Sequence, residues 1–150
     1  MKTMNVKSAL QGILLLLVIG FSTTAFAPDY GLDSYEIHLN EKLIMKQFVN
    51  QPLNLRTLQL EKAEAQDMLW VKYTHCTLKG AGSNRAIVLK DDQGHELTQW
   101  TFADSRDENK AMKISVAELR KFEEAHKNHQ VSLYYKSSEL PGAELLAYLK

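Results

Sequence analysis

The chain has one cysteine, Cys76, in 150 residues. No disulfide can close within it, so the fold must rest on its hydrophobic core. Three prolines and seven glycines leave no Pro- or Gly-rich stretch, which excludes collagen-like and linker-type low complexity. No internal repeat occurs, so solenoids and propellers are excluded. Neither sign of charge dominates, with 18 basic and 18 acidic residues and no block of five like charges. That balance argues against a nucleic-acid surface and against a polybasic membrane patch. After residue 27 no apolar run approaches the roughly 20 residues of a spanning helix.

What is present begins at the N-terminus. Lys2 and Lys7 form a small positive region, Gly12 to Gly20 is a short apolar core, and Ser22-Thr23-Thr24-Ala25-Phe26-Ala27 follows with small residues. This order is that of a secretory signal peptide, assigned to residues 1–27. Ala25-Phe26-Ala27 fits an A-x-A cleavage site, but Pro28 would follow the scissile bond, and Thr23-Thr24-Ala25 is the alternative. The expected product is exported, periplasmic or extracellular, with no stable membrane anchor after cleavage. Losing the leader's two lysines takes the rest to a formal charge of −2. A tether over 28–33 then leads into one domain over 34–150, a length that suits a single core.

Strand signals recur at short spacing. Tyr35, Ile37 and Leu39 alternate on one face of Ser34–Leu39, and Asn40-Glu41-Lys42 turns the chain back into Leu43–Val49 as a hairpin. Pro52 breaks the pattern, and the mixed segment after it leans to a strand over Leu55–Leu60. Met68–Cys76 is the strongest strand, with Leu69, Val71 and Tyr73 opposite Trp70, Lys72 and Thr74. Lys79–Asn84 reads as a loop, Arg85–Lys90 as a strand, Asp91–Gly94 as a compact turn and His95–Phe102 as the returning strand. Met68–Phe102 is thus expected to form a three-stranded antiparallel meander. Ala103–Lys110 is a polar loop. Ser115-Val116-Ala117-Glu118 matches a capping box, with Ile114 and Leu119 as its hydrophobic staple, and predicts an amphipathic helix over about 116–128 with Leu119 and Phe122 inward. Val131, Leu133 and Tyr135 alternate, Pro141-Gly142 turns, and Glu144–Leu149 closes the chain. About eight short strands and one helix predict a mainly β fold, an antiparallel sandwich or an open barrel.

The motifs that carry chemistry are sparse. No Gly-x-Ser-x-Gly elbow, H-E-x-x-H pair or D-x-D-x-D-G loop is present. In Thr74-His75-Cys76 strand alternation puts His75 and Cys76 on opposite faces, so a thiol enzyme would need His38 or His95 as base. Cys76 is expected to be a buried structural thiol. His126 and His129 share a helix face and would need a further metal ligand such as Glu123. Asp91, Asp92, Asp104, Asp107 and Glu108 supply carboxylates for glycoside hydrolysis or calcium, but all lie in turns and loops where acids are common. No cofactor or metal is expected.

Trp70, Lys72 and Thr74 stand opposite the apolar face of their strand, and Tyr134 stands opposite Val131, Leu133 and Tyr135. Aromatics beside polar groups suit a protein, a peptide or a carbohydrate. These four residues are the candidate ligand-binding set, and the expectation is that Trp70 and Tyr134 share one exposed surface. The favoured function is a non-enzymatic binding or interaction module. The alternative is a small enzyme or metal-dependent protein with a His/Cys site assembled from distant strands, for which His38, His75, His95 and Cys76 would have to meet in a pocket.

Overall fold

A computed structural model describes residues 32–76 and 82–150 of the chain. The leader and cleavage site expected from the sequence and most of the expected 28–33 tether lie outside the described residues, as does part of the Lys79–Asn84 loop. The described residues are mainly β and form two sheets with nine strands and one helix, without barrel closure. The strands are β1 (Ser34–Leu39), β2 (Lys42–Phe48), β3 (Thr57–Leu58), β4 (Met68–Thr74), β5 (Arg85–Lys90), β6 (Glu96–Phe102), β7 (Met112–Ser115), β8 (Ser132–Lys136) and β9 (Glu144–Leu149). Helix α1 spans Val116–Ala125. One sheet has the order β2-β1-β4-β7 and the other β3-β9-β8-β5-β6.

Period-two alternation decides which side chains meet between the sheets. From the first sheet come Tyr35, Ile37, Leu69, Val71, Tyr73, Met112 and Ile114. From the second come Ile87, Leu89, Leu133, Tyr135, Leu146 and Ala147, and all belong to one buried cluster. Tyr73 and Tyr135 stack across the layers at 4.1 Å between ring centroids. The Tyr35 hydroxyl donates to the Leu146 carbonyl at 2.5 Å. Burial pushes that phenol up to about 12.

The β1–β2 hairpin forms as the sequence predicts. Asn40 takes φ +54 at its turn, a conformation Asn tolerates better than most residues. Its side chain also accepts from the Met68 amide at 2.9 Å and donates to Asp67 at 2.9 Å, which fastens the hairpin to the start of β4. The expected meander is corrected. β5 and β6 pair, but β4 lies in the other sheet, between β1 and β7. Only Thr57–Leu58 of the Leu55–Leu60 segment is a strand, and Leu53–Leu55 is a 3-10 turn. The last ladder pairs are mixed, because β3 runs parallel to β9.

The helix forms but its capping differs from expectation. Ser115 occupies the N-cap with extended φ/ψ, yet its side chain makes no capping bond. The chain passes straight from β7 into α1, and the Val116 amide is satisfied by the Asp67 carbonyl at 3.0 Å. Glu118 accepts from the Trp100 indole at 3.1 Å instead of reaching back to Ser115. The helix stops at Ala125, where His126 Nδ1 donates to the Phe122 carbonyl at 2.9 Å. Leu119 is fully buried, and Phe122 meets Trp100 edge-on. Leu119→Ala is therefore expected to cost about 2–5 kcal/mol. Ser115→Ala, with no side-chain bond to lose, is expected to stay within about 0.5 kcal/mol. Chemical denaturation of the two variants checks the contrast, and an equal loss in both would restore the capping box.

Candidate functional site

Two places in the fold collect polar side chains. The first is a buried network at one end of the sandwich. Asp33 precedes β1, His75 follows β4, and Ser137 and Glu139 follow β8, so the strand ends bring them together. The Asp33 carboxylate accepts from His75 Nδ1 at 3.1 Å, from the Tyr73 hydroxyl at 3.0 Å and from the Cys76 amide at 2.9 Å. With Nδ1 protonated, His75 Nε2 is an acceptor facing the hydroxyls of Tyr135 at 3.2 Å and Ser137 at 3.3 Å. Glu139 lies 3.9 Å from the same nitrogen. Burial and the Asp33 charge together push the Tyr73 phenol well above its ordinary value.

Ser137, His75 and Asp33 thus stand in the order of a nucleophile, base and orienting acid. Their surroundings do not suit acyl transfer. His75 is 2% exposed and Ser137 6%. The Gly82 backbone, at φ +93, packs directly over the cluster. A Cβ there would come within 2.9 Å of His75 Nε2 and 2.8 Å of the Tyr135 hydroxyl. The space a scissile carbonyl needs is filled by protein, so the geometry is that of a satisfied polar plug.

Glu139 gives this plug a pH signature. Burial pushes its carboxyl up, but hydrogen bonds from the Ser83 hydroxyl and amide and from Ser137 outweigh that and hold it at about 2, against an ordinary 4.5. A carboxyl with a depressed folded-state value stabilises above about 4.5, and that stabilisation fades as pH falls towards about 2. Thermal melts between those limits are expected to show a shallower fall for Glu139→Gln than for the parent chain. Parallel curves would remove Glu139 from the plug's energetics.

The second place is the outer face of the first sheet. Antiparallel register sets Ser34, Glu36 and His38 of β1 beside Thr74, Lys72 and Trp70 of β4, in that order. Lys113 of β7 pairs with Trp70, and Lys46 and Phe48 of β2 pair with Glu36 and Ser34. The face therefore presents three lysines and one glutamate. Glu36 accepts from Lys46 at 2.8 Å and from His38 at 3.1 Å, and these bonds hold its carboxyl below the ordinary range. Lys72 has no ion pair or hydrogen bond to another described residue. Next to it opens a pocket of about 240 Å³ lined by Ser34, Glu36, Lys46, Lys72, Thr74 and Asn109. Asn109 and Glu108, also at its rim, come from the β6–β7 loop. Arg85 pins that loop, because its buried guanidinium donates to the carbonyls of Ala103 and Lys110.

The comparisons with known proteins add no neighbour. No family model, no curated protein and no solved structure matches this chain. The residues alone carry the functional reading.

Of the four candidate ligand-binding residues, the structure brings three together. Trp70, Lys72 and Thr74 lie in line on the outer face of the first sheet, and the last two line the pocket. Trp70 is half-buried, with the Lys113 ammonium 3.8 Å from its ring centroid. Tyr134 belongs to β8 in the other sheet and points away from the shared core. It sits under Lys90, whose ammonium is 5.1 Å from its ring centroid. The two sheets face each other through their inner sides, so Trp70 and Tyr134 look out in opposite directions and share no surface. His38, His75, His95 and Cys76 do not converge either. His38 is on the outer face, His75 is in the plug, and His95 is at the exposed β5–β6 turn paired with Asp91 at 3.0 Å.

Cys76 is exposed, which corrects the buried-thiol expectation. β4 ends at Thr74, and His75 turns inward to Asp33, so Cys76 falls outside the layer. His126 caps α1 and His129 bonds Asp92 at 2.7 Å, so the two are engaged separately. Among the described residues no group of three His, Cys, Asp or Glu is placed to hold a metal ion. Sequence reading missed Ser34, Glu36, Lys46, Lys113 and Asn109. The first two were visible as the polar alternate of β1, but Lys46, Lys113 and Asn109 join the face only through strand pairing and the pinned loop.

Proposed function

We propose that the chain is an exported binding module that recognises a protein or peptide partner through the outer face of its first sheet. The observation that supports this reading most strongly is the composition of that face. Three lysines gather there, with Glu36 on the face and Glu108 at the pocket's rim, and one of them, Lys72, has no ion pair to another described residue. Leu43 and Phe48 of edge strand β2 remain 47% and 46% exposed at its border. A surface that is both basic and apolar, on a rigid sheet, suits a macromolecular partner. A carbohydrate is less well served, because Lys113 occupies a face of the Trp70 ring on which a sugar would stack. The N-terminal order of charge, apolar core and small residues supports export.

The test is retention by an immobilised chain incubated with the exported fraction of its host. Lys72→Glu is expected to release the retained partner at least about tenfold, since reversing a charge at an interface costs several kcal/mol. Tyr134→Ala, on the other sheet, is expected to leave retention unchanged. Equal retention by Lys72→Glu and the parent chain, both still folded, would discard this surface.

A further inference from the structure

We propose that the pocket beside Lys72 receives a carboxylate group from the partner polypeptide, a step that rests on the reading above. Lys72 supplies the charge. It is half-buried and makes no ion pair with a described acid, although Glu36 stands opposite it in the β1–β4 register, whereas Lys46 is already spent on Glu36. The hydroxyls of Ser34 and Thr74 and the side-chain amide of Asn109 line the same pocket, and none of them bonds another described residue. One cation with two hydroxyls and one amide matches the acceptor geometry of a carboxylate, which takes several donors at once. The two acids at the rim set the selectivity. Glu36 and Glu108 repel a dianion more strongly than a monoanion and leave acceptors for the amide N–H groups of a peptide. A phosphate is therefore disfavoured relative to a carboxylate. The pocket's volume of about 240 Å³ holds a side chain or a chain terminus, not a folded domain.

A carboxylate reaches such a pocket from an acidic side chain or from a peptide C-terminus, and the probes can separate these sources. The ¹⁵N-labelled protein is titrated with N-acetyl-glutamate α-amide, with N-acetyl-alanyl-alanine, with the neutral N-acetyl-glutamine α-amide and with inorganic phosphate. At least one carboxylate probe is expected to move the amides of Ser34, Lys72, Thr74 and Asn109 to saturation. The stronger of the two identifies the source. Lys72→Gln is expected to weaken that binding at least about tenfold, the loss of one charge-assisted contact. Lys72→Arg is expected to retain it, and Lys90→Gln, on the other sheet, to leave it unchanged. Dispersed amide spectra establish that each variant folds. Equal shifts with the glutamine probe, tighter binding of phosphate, or indifference to Lys72→Gln would overturn the assignment. Should that happen while Lys72→Glu still releases the partner, the recognition surface stands and its ligand chemistry is wrong. Should the probes bind while Lys72→Glu retains the partner, the pocket stands and the surface is used for something else.

Discussion

Arg56→Ala is expected to lower the stability of this domain by about 3–5 kcal/mol, the loss typical of removing one partner from a buried charged network. Arg56 is 2% exposed. One guanidinium nitrogen donates to Glu144 at 3.0 Å and to the Leu145 carbonyl at 2.6 Å. The other donates to the carbonyls of Val49 and Gln51. These bonds stitch the irregular chain after β2 onto β9, and the Tyr148 amide completes the joint by donating to the Arg56 carbonyl at 2.7 Å. Truncation leaves three carbonyls and a carboxylate short of a donor, and unpaired buried groups lose their hydration without recompense. Arg56→Lys keeps a charge but not the fork, so it is expected to recover only part of the loss. Urea denaturation measures both. A cost under about 1 kcal/mol for Arg56→Ala would show that β9 holds the segment without the guanidinium.

Gly82→Ala is the second large effect, at about 2–4 kcal/mol. Gly82 sits at φ +93, where an L side chain is strained. Its absent Cβ also marks a place with no spare room. An added methyl would lie 2.8 Å from the Tyr135 hydroxyl and from Glu139, and 2.9 Å from His75. None of these can step aside freely. Ser83 holds Glu139 through both amide and hydroxyl, and Asp33 holds the imidazole from its far side. The substitution would have to break the network or move the chain that bridges Gly82 to Ser105. Differential scanning calorimetry of Gly82→Ala checks this, and a melting temperature equal to the parent's would mean that the plug is loose. An intact plug at this end keeps His75 and Ser137 buried beneath the Gly82 backbone.

Local alternation made much of the core legible. Tyr35, Ile37, Leu69, Val71, Tyr73, Leu133 and Tyr135 are all inward, because a strand repeats every two residues whatever it pairs with. The two-layer mainly β fold followed from several such segments with no cysteine framework to replace a core. Pairing was not legible. Nothing within Met68–Thr74 states that its neighbours are β1 and β7 and not β5, since ladder partners are chosen by burial over the whole chain. The same limit hid the plug, whose members Asp33 and His75 are 42 positions apart and whose His75 and Tyr135 are 60 apart. It also separated Tyr134 from Trp70, two residues alike in their local pattern but placed on opposite layers. β7 went unread because Met112 and Ile114 supply only two inward positions, too few for a period. The Ser115 motif misled because strand pairing was hidden there too: pairing of β7 with β4 brings up the Asp67 carbonyl, which already provides an acceptor for the first helical amide.

The central claim is that the outer face of the first sheet meets the partner. Lysine footprinting of the full chain with an acetylating ester, read by mass spectrometry with and without the retained partner, tests it most directly. The partner is expected to slow acetylation of Lys46, Lys72 and Lys113 together, while Lys90 and Lys136 on the other sheet react as before. Protection of Lys90 and Lys136 with Lys72 left fully reactive would contradict it.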